Sequence, residues 1–205
     1  MTRLYALDVT ELNWQAFLPQ LPAFRQEKIR KLRKSEDKAR SAGAGWLLQY
    51  ALSQAGVQEP IFAETPLGKP YLENCPHIHF SLSHSGNWAV CAVGDAPLGV
   101  DVEQPRCTME IAKRFFRPEE LPETEDRDYL LRLWTAKEAF VKALGGGLTI
   151  PLDSFRVILS QNEAVLDQNL SKFSFLLQEF PLGEHRVCLC ATEKVQLEII
   201  KSTPF

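Results

Sequence analysis

Ile78-His79-Phe80-Ser81-Leu82-Ser83-His84-Ser85-Gly86-Asn87-Trp88-Ala89-Val90-Cys91-Ala92-Val93-Gly94-Asp95-Ala96-Pro97-Leu98-Gly99-Val100-Asp101-Val102-Glu103 is the stretch on which the fold turns. Ile78, Phe80 and Leu82 alternate with polar residues. Trp88 to Val93 is mostly apolar, and Leu98 to Glu103 alternates again. Ser85-Gly86-Asn87 and Gly94-Asp95-Ala96-Pro97 are turn sequences between these runs, so the pattern predicts three strands in an antiparallel meander.

Upstream, Leu4–Val9 reads as a strand and residues 36–52 as a helix, with Trp46, Leu47, Tyr50 and Ala51 at helical spacing. Gly43 and Gly45 weaken that helix but permit a neighbouring element to approach closely. Downstream, an acidic loop (119–128) precedes a predicted helix over 129–144, closed by Gly145-Gly146-Gly147. Strands are expected at 155–159, 173–177, 187–191 and 195–200. Helix-then-strands occurs twice, which predicts a pseudo-duplicated α+β fold with a ligand cleft between two lobes. The division is expected near 101/102, giving an N-terminal lobe (1–101) and a C-terminal lobe (102–205).

Bulk properties narrow the function. A net charge of −3 argues against a dedicated nucleic-acid binder. No apolar run approaches the ~20 residues of a membrane span, and Asp8 and Glu11 interrupt any signal-peptide pattern. Five cysteines without a Cys-x-x-Cys pair suit free thiols in a reducing cytoplasm. His77 and His79 share a strand face, but with only Cys75 nearby they read as structural rather than zinc-binding.

Three groups of residues carry candidate chemistry. In Gly99-Val100-Asp101-Val102-Glu103, alternation places both carboxylates on one strand face, ~7 Å apart. Their repulsion is roughly 2–3 kcal/mol at an effective dielectric of ~20, and a hard divalent cation would reverse it. Taken alone, the same pair fits the wet face of an edge strand. In Trp134-Thr135-Ala136-Lys137-Glu138-Ala139-Phe140-Val141-Lys142, Glu138 and Lys142 are four apart on one helical face. They are either a surface ion pair, or a third metal carboxylate with a phosphate-binding cation one turn away. Ser83-His84-Ser85-Gly86 offers hydroxyl, imidazole and backbone donors suited to phosphate. Residues 25–40 hold eight Lys or Arg against three Asp or Glu, either a solvated helix face or a funnel for an anionic substrate.

Together these pieces resemble the 4'-phosphopantetheinyl transferase family, in its larger two-lobed Sfp (surfactin) type. That family pairs Gly-[Ile/Val]-Asp-x-Glu with a later [Trp/Phe]-[Ser/Cys]-x-Lys-Glu-[Ala/Ser]-x-x-Lys. Gly68-Lys69-Pro70-Tyr71 and Ser83-His84-Ser85-Gly86 stand in the family's order, and Thr135 replaces the usual Ser or Cys. The resemblance implies Asp101, Glu103 and Glu138 as ligands of Mg2+, with Mn2+ as an alternative. It implies Glu138, or a water it orients, as general base, and Lys142, assisted by Lys137, as the group that stabilises or protonates the leaving phosphate. It implies Lys28, Lys31, Arg40, Lys69, Ser83, His84, Lys137 and Lys142 as contacts to coenzyme A, which is the substrate. Glu120 is a further acidic candidate. The resemblance implies as second substrate an apo acyl or peptidyl carrier protein of fatty-acid, polyketide or nonribosomal-peptide synthesis. Lys113, Arg114 and Arg117 flank Phe115 and Phe116, and this segment reads either as part of a docking surface for an acidic carrier or as a helix with both phenylalanines in the core. Neither nucleic acid nor membrane is expected as a partner, and a chain already holding two lobes is expected to work as a monomer. A rival reading uses the same carboxylates to act on another nucleotide diphosphate.

Overall fold

The computed structural model describes residues 1–201. β1 (Arg3–Asp8) is followed by α1 (Trp14–Phe17), α2 (Ala23–Lys31) and α3 (Ser35–Gln54). A short hairpin of β2 (Phe62–Glu64) and β3 (Pro70–Leu72) leads to β4 (His79–Ser85), β5 (Trp88–Gly94) and β6 (Gly99–Glu103). Then come α4 (Met109–Phe115), α5 (Arg127–Leu144), β7 (Arg156–Leu159), β8 (Ala164–Asp167), β9 (Leu176–Leu182), β10 (His185–Ala191) and β11 (Leu197–Ile200). No helix among the described residues is long and apolar enough to cross a membrane. All five cysteines are free thiols.

The fold is α+β and internally duplicated. One sheet has the order β11-β1-β5-β4, the other β6-β10-β9-β8-β7. In each half a leading strand (β1, β6) precedes helices and then pairs antiparallel with the last strand of a hairpin (β4–β5, β9–β10). α3 covers the first sheet through Leu47, Leu48, Ala51 and Leu52, and α5 covers the second through Leu133, Ala136, Ala139 and Phe140. The opposite faces of the sheets meet in a shared core of Leu4, Ala6, Val90, Ala92, Val100, Val102, Val187 and Leu189.

The expected meander stops at its second strand. β4 and β5 form the hairpin, but β6 leaves to become the edge of the other sheet, with Val100 opposite Leu189 and Val102 opposite Val187. β10 gives β6 a fully buried apolar partner, and a strand eighty residues away is invisible to a local pattern. The expected boundary at 101/102 falls inside β6, and β11 runs parallel to β1 in the N-terminal sheet. Residues 202–205 of the expected C-terminal lobe lie outside the described residues. β8 has no counterpart among the predicted strands.

Two glycines let elements approach closely. Gly43 in α3 has no room for a Cβ, which would stand 2.4 Å from Val9 Cγ1. Gly99 at the start of β6 lies directly beneath α5: a Cβ there would be 2.0 Å from the Ala139 carbonyl oxygen and 2.4 Å from the Ala143 nitrogen. α5 therefore rests backbone-to-backbone on the strand that carries Asp101. Gly99→Ala is expected to cost about 3 kcal/mol or more, because the atoms in the way are backbone and overpacking forces them apart. An unchanged urea midpoint would mean that the helix does not sit so close.

α5 is well specified locally. The Asp126 side chain caps it by accepting the Tyr129 N–H (3.0 Å), and Gly145 ends it at φ +77°.

Candidate active site

Alternation along β6 turns Val100 and Val102 into the sheet–sheet core and Asp101 the other way, towards α5. Asp101 is 4% exposed. Its Oδ1 accepts from the Ser83 hydroxyl (2.7 Å) and from Lys142 Nζ (2.6 Å), while its Oδ2 is buried with no partner. Glu103 Oε2 accepts from the Ser85 hydroxyl (2.7 Å). Lys142 Nζ also donates to Ser83 Oγ (3.0 Å). Glu138, one turn before Lys142, has its carboxyl pushed up first by burial and then by the negative charge of Asp101; Lys142 opposes this and Glu103 adds to it. The three carboxylates from two distant stretches thus share one electrostatic neighbourhood.

Among the described residues, no three His, Cys, Asp or Glu side chains are gathered closely enough to hold a metal as they stand. The chemistry of the group nevertheless suits a hard divalent ion. Its donors are carboxylate and hydroxyl oxygens, and Asp101 Oδ2 is an unpartnered buried acceptor, costly to leave so. Lys142 now supplies the positive charge beside Asp101.

Next to this group lies a pocket of about 440 Å³, lined by Arg25 and Lys28 of α2, Lys69, Ser83 and His84 of β4, and Lys142. Arg25 was not singled out from the basic segment by sequence, yet it is the most unusual residue here. It is 6% exposed, its Nε has no partner, and its guanidinium lies 5.6 Å from the Phe24 ring centroid. Burial lowers its affinity for its proton. Leaving a buried guanidinium nitrogen without a partner is costly. Helical spacing links Arg25 with Lys28, three residues on, and both line the pocket, whereas Lys31 does not line it.

His84 is pushed down to about 4, first by burial and then by the charge of Lys28, with Arg25 and Arg40 adding to it. It is therefore neutral near pH 7. Lys69 is lowered by burial to about 8, and its Nζ donates to the Lys142 carbonyl (2.6 Å) at the negative end of α5. Arg40 sits behind the pocket: it donates to the Gly86 carbonyl (2.9 Å) and pairs with Asp37, bracing the Ser-His-Ser-Gly turn.

Two further expected contacts lie outside the pocket lining. Lys137 is fully buried on the inner side of α5, with its ammonium on Glu120 Oε1 (2.8 Å) and the carbonyls of Leu152 (2.7 Å) and Phe155 (3.0 Å). Its three donors are all engaged within the fold, and Glu120 is its ion-pair partner. Lys31 is exposed and pairs with Glu27 (2.7 Å) on the outer face of α2. Thr135 is also buried, bonding back to the Leu131 carbonyl (3.0 Å). Of the aromatic pair at the end of α4, Phe116 is in the core and Phe115 is 47% exposed, edge-on to Trp134.

Residues 97–190 match the model of the 4'-phosphopantetheinyl transferase superfamily, and residues 8–95 match that of the 4'-phosphopantetheinyl transferase N-terminal region. The chain is 39% identical over 150 residues to a 4'-phosphopantetheinyl transferase of Bacillus subtilis, covering 68% of this chain and 67% of that protein. The chain belongs to the 4'-phosphopantetheinyl transferase superfamily. This transferase is also 35% identical over 164 residues to 4'-phosphopantetheinyl transferase Sfp of Bacillus subtilis strain 168, covering 74% of this chain and 72% of Sfp. To the transferase HetI of a Nostoc species it is 34% identical over 151 residues, covering 66% and 63%. The two matched regions of the transferase abut at the loop before β6, so Asp101 and His84 fall in different regions while the hydroxyl of Ser83 joins them.

Proposed function

We propose that this enzyme transfers the 4'-phosphopantetheine arm of coenzyme A to a serine hydroxyl of an apo acyl or peptidyl carrier protein, releasing 3',5'-ADP. The observation that carries this reading is the convergence of Asp101, Glu138 and Lys142 at the edge of a pocket holding an unpaired buried arginine.

Arg25, Lys28, His84 and Lys69 bind the phosphates of coenzyme A, with the ribose phosphate and the diphosphate dividing these donors between them. Asp101, Glu103 and Glu138 would hold Mg2+, which supplies Lewis-acid neutralisation of the diphosphate. The serine oxygen forms a bond to the β-phosphorus, and the bond from that phosphorus to the oxygen of 3',5'-ADP breaks. Glu138, whose environment raises its affinity for a proton, takes the hydroxyl proton. Lys142 stabilises the negative charge on the leaving phosphate.

The test is mass spectrometry of several apo carriers incubated with the enzyme, coenzyme A and Mg2+. A gain of one phosphopantetheine mass is expected, lost when Mg2+ is chelated. No gain with any carrier would overturn the reading.

Two predictions concern the substrates. Arg25→Met keeps the aliphatic stem packed against Gly45 but removes the buried charge. It is expected to raise the KM for coenzyme A by about 10- to 100-fold, the value of a charged hydrogen bond. Lys31→Ala is expected to change it by less than about twofold, as for any exposed helix pair. Equal effects would return Lys31 to the binding set. For the carrier, the exposed Phe115 beside Lys113 and Arg114 forms a basic–aromatic surface suited to an acidic partner. Charge reversal at Lys113 and Arg114 is expected to raise the carrier KM about tenfold while leaving coenzyme A affinity unchanged. Loss of both together would count against this surface.

A further inference from the structure

β4 is the outer strand of one sheet and β6 the outer strand of the other. The two edges lie side by side without a backbone ladder. Three serines at alternate positions of β4 bridge them instead. The Ser81 hydroxyl accepts the Val100 N–H (3.1 Å), the Ser83 hydroxyl donates to Asp101 Oδ1 (2.7 Å), and the Ser85 hydroxyl donates to Glu103 Oε2 (2.7 Å). The rungs differ in kind: Ser81 satisfies an edge amide, whereas Ser83 and Ser85 point their protons at carboxylates.

We infer that Ser85 is a positioning residue for Glu103, fixing which carboxylate oxygen is turned to the cation; this rests on the metal reading above. A free glutamate side chain has several rotamers to lose on ligating an ion. Ser85 is 4% exposed and held in a strand, and a hydroxyl has one proton to donate. With that proton on Oε2, which also accepts the Gln104 N–H (3.3 Å), the carboxylate plane is set before any ion arrives. Ser83 does the same for Asp101, leaving Oδ2 as the unpartnered oxygen. The seam between the sheets therefore doubles as the outer shell of the acidic group, and outer-shell partners of metal ligands commonly change affinity 10- to 100-fold when removed.

The test is titration of the full chain with Mn2+ in the presence of coenzyme A, following free Mn2+ by electron paramagnetic resonance against a protein-free blank, with thermal unfolding measured in parallel. Ser85→Ala is expected to weaken Mn2+ binding about 10- to 100-fold, and Ser85→Thr, which keeps the hydroxyl, to return most of the affinity. Ser81→Ala is the control: it removes a rung from the same seam and is expected to lower the unfolding temperature without moving Mn2+ affinity. Should Ser85→Ala not fold, Ser85→Cys preserves the volume with only a weak donor and is expected to bind Mn2+ less well. Unchanged affinity in a folded Ser85 variant, or equal loss in Ser81→Ala, would overturn the positioning role alone. A wild-type chain that binds no Mn2+ would overturn the metal reading beneath it.

Discussion

Asp101→Asn is expected to lower the rate of phosphopantetheine transfer by about 10³-fold or more, while the thermal unfolding temperature stays level or rises. The two halves of this expectation come from the same atoms. Asp101 is nearly inaccessible, feels the charge of Glu138, and has one oxygen with no partner. Such a carboxylate is a liability to the fold: buried, close to another acid, and compensated on one oxygen only. Asparagine keeps the shape and an oxygen for Ser83 while removing the repulsion. It also removes the partner of Lys142 and the charge that, on the proposed reading, would help to hold a divalent ion. Charged groups that neutralise a transferring phosphoryl group are worth 10³ to 10⁵ in rate in comparable chemistry. Steady-state transfer rates together with differential scanning calorimetry would check both halves. A variant retaining more than a tenth of wild-type activity would remove Asp101 from the reaction.

Lys137→Met should do the opposite, unfolding the protein more readily while sparing the chemistry. Lys137 and Glu120 form an ion pair with both side chains fully buried, and Glu120 additionally accepts the N–H groups of Val157 (2.7 Å) and Arg117 (3.0 Å). One carboxylate thus ties α5 to β7 and to the turn that follows α4. Burial lowers the proton affinity of Lys137 and Glu120 raises it, with burial the larger influence. Removing the lysine leaves Glu120 as an uncompensated charge, and breaking such a pair costs about 3–5 kcal/mol. Urea unfolding should show that loss, and kcat measured on the folded fraction should fall by no more than a few-fold. The double variant Lys137→Met/Glu120→Gln should regain part of the stability, since the stranded charge goes with its partner. Stable Lys137→Met protein with kcat lost would instead place this lysine on the phosphate.

These two lysines show how far the chain could be read without coordinates. Lys137 and Lys142 both belong to the recognised motif, but helical geometry already separates them: Lys142 is four residues from Glu138 and Lys137 only one, about 100° around the axis. Motif membership outweighed that angle. Lys31 was carried over from the resemblance and lies exposed beside Glu27, and Arg25 was passed over although its spacing from Lys28 was favourable. The elements themselves were legible wherever local signals agreed: α5 has its aspartate cap and terminal glycine, and β6 has its strict alternation. What could not be read was pairing across the chain. Val102 opposite Val187 depends on residues eighty positions apart, and the serine rungs depend on which two sheet edges meet. The unpaired state of Arg25 is likewise a property of the folded interior, because no sequence records which carboxylates fail to come near.

The pairing of β11 with β1 bears on how the molecule is made. Leu4 lies beside Leu197, and Leu7 beside Ile200, so a rib of the first sheet is supplied by residues translated only after the whole of the second sheet. Until they emerge from the ribosome, the nascent N-terminal half carries a bare apolar border at β1, open to mispairing with a neighbour. Cutting the gene between the halves would leave one fragment short of that rib and the other with a dangling strand, so co-expressed pieces should associate rather than fold separately.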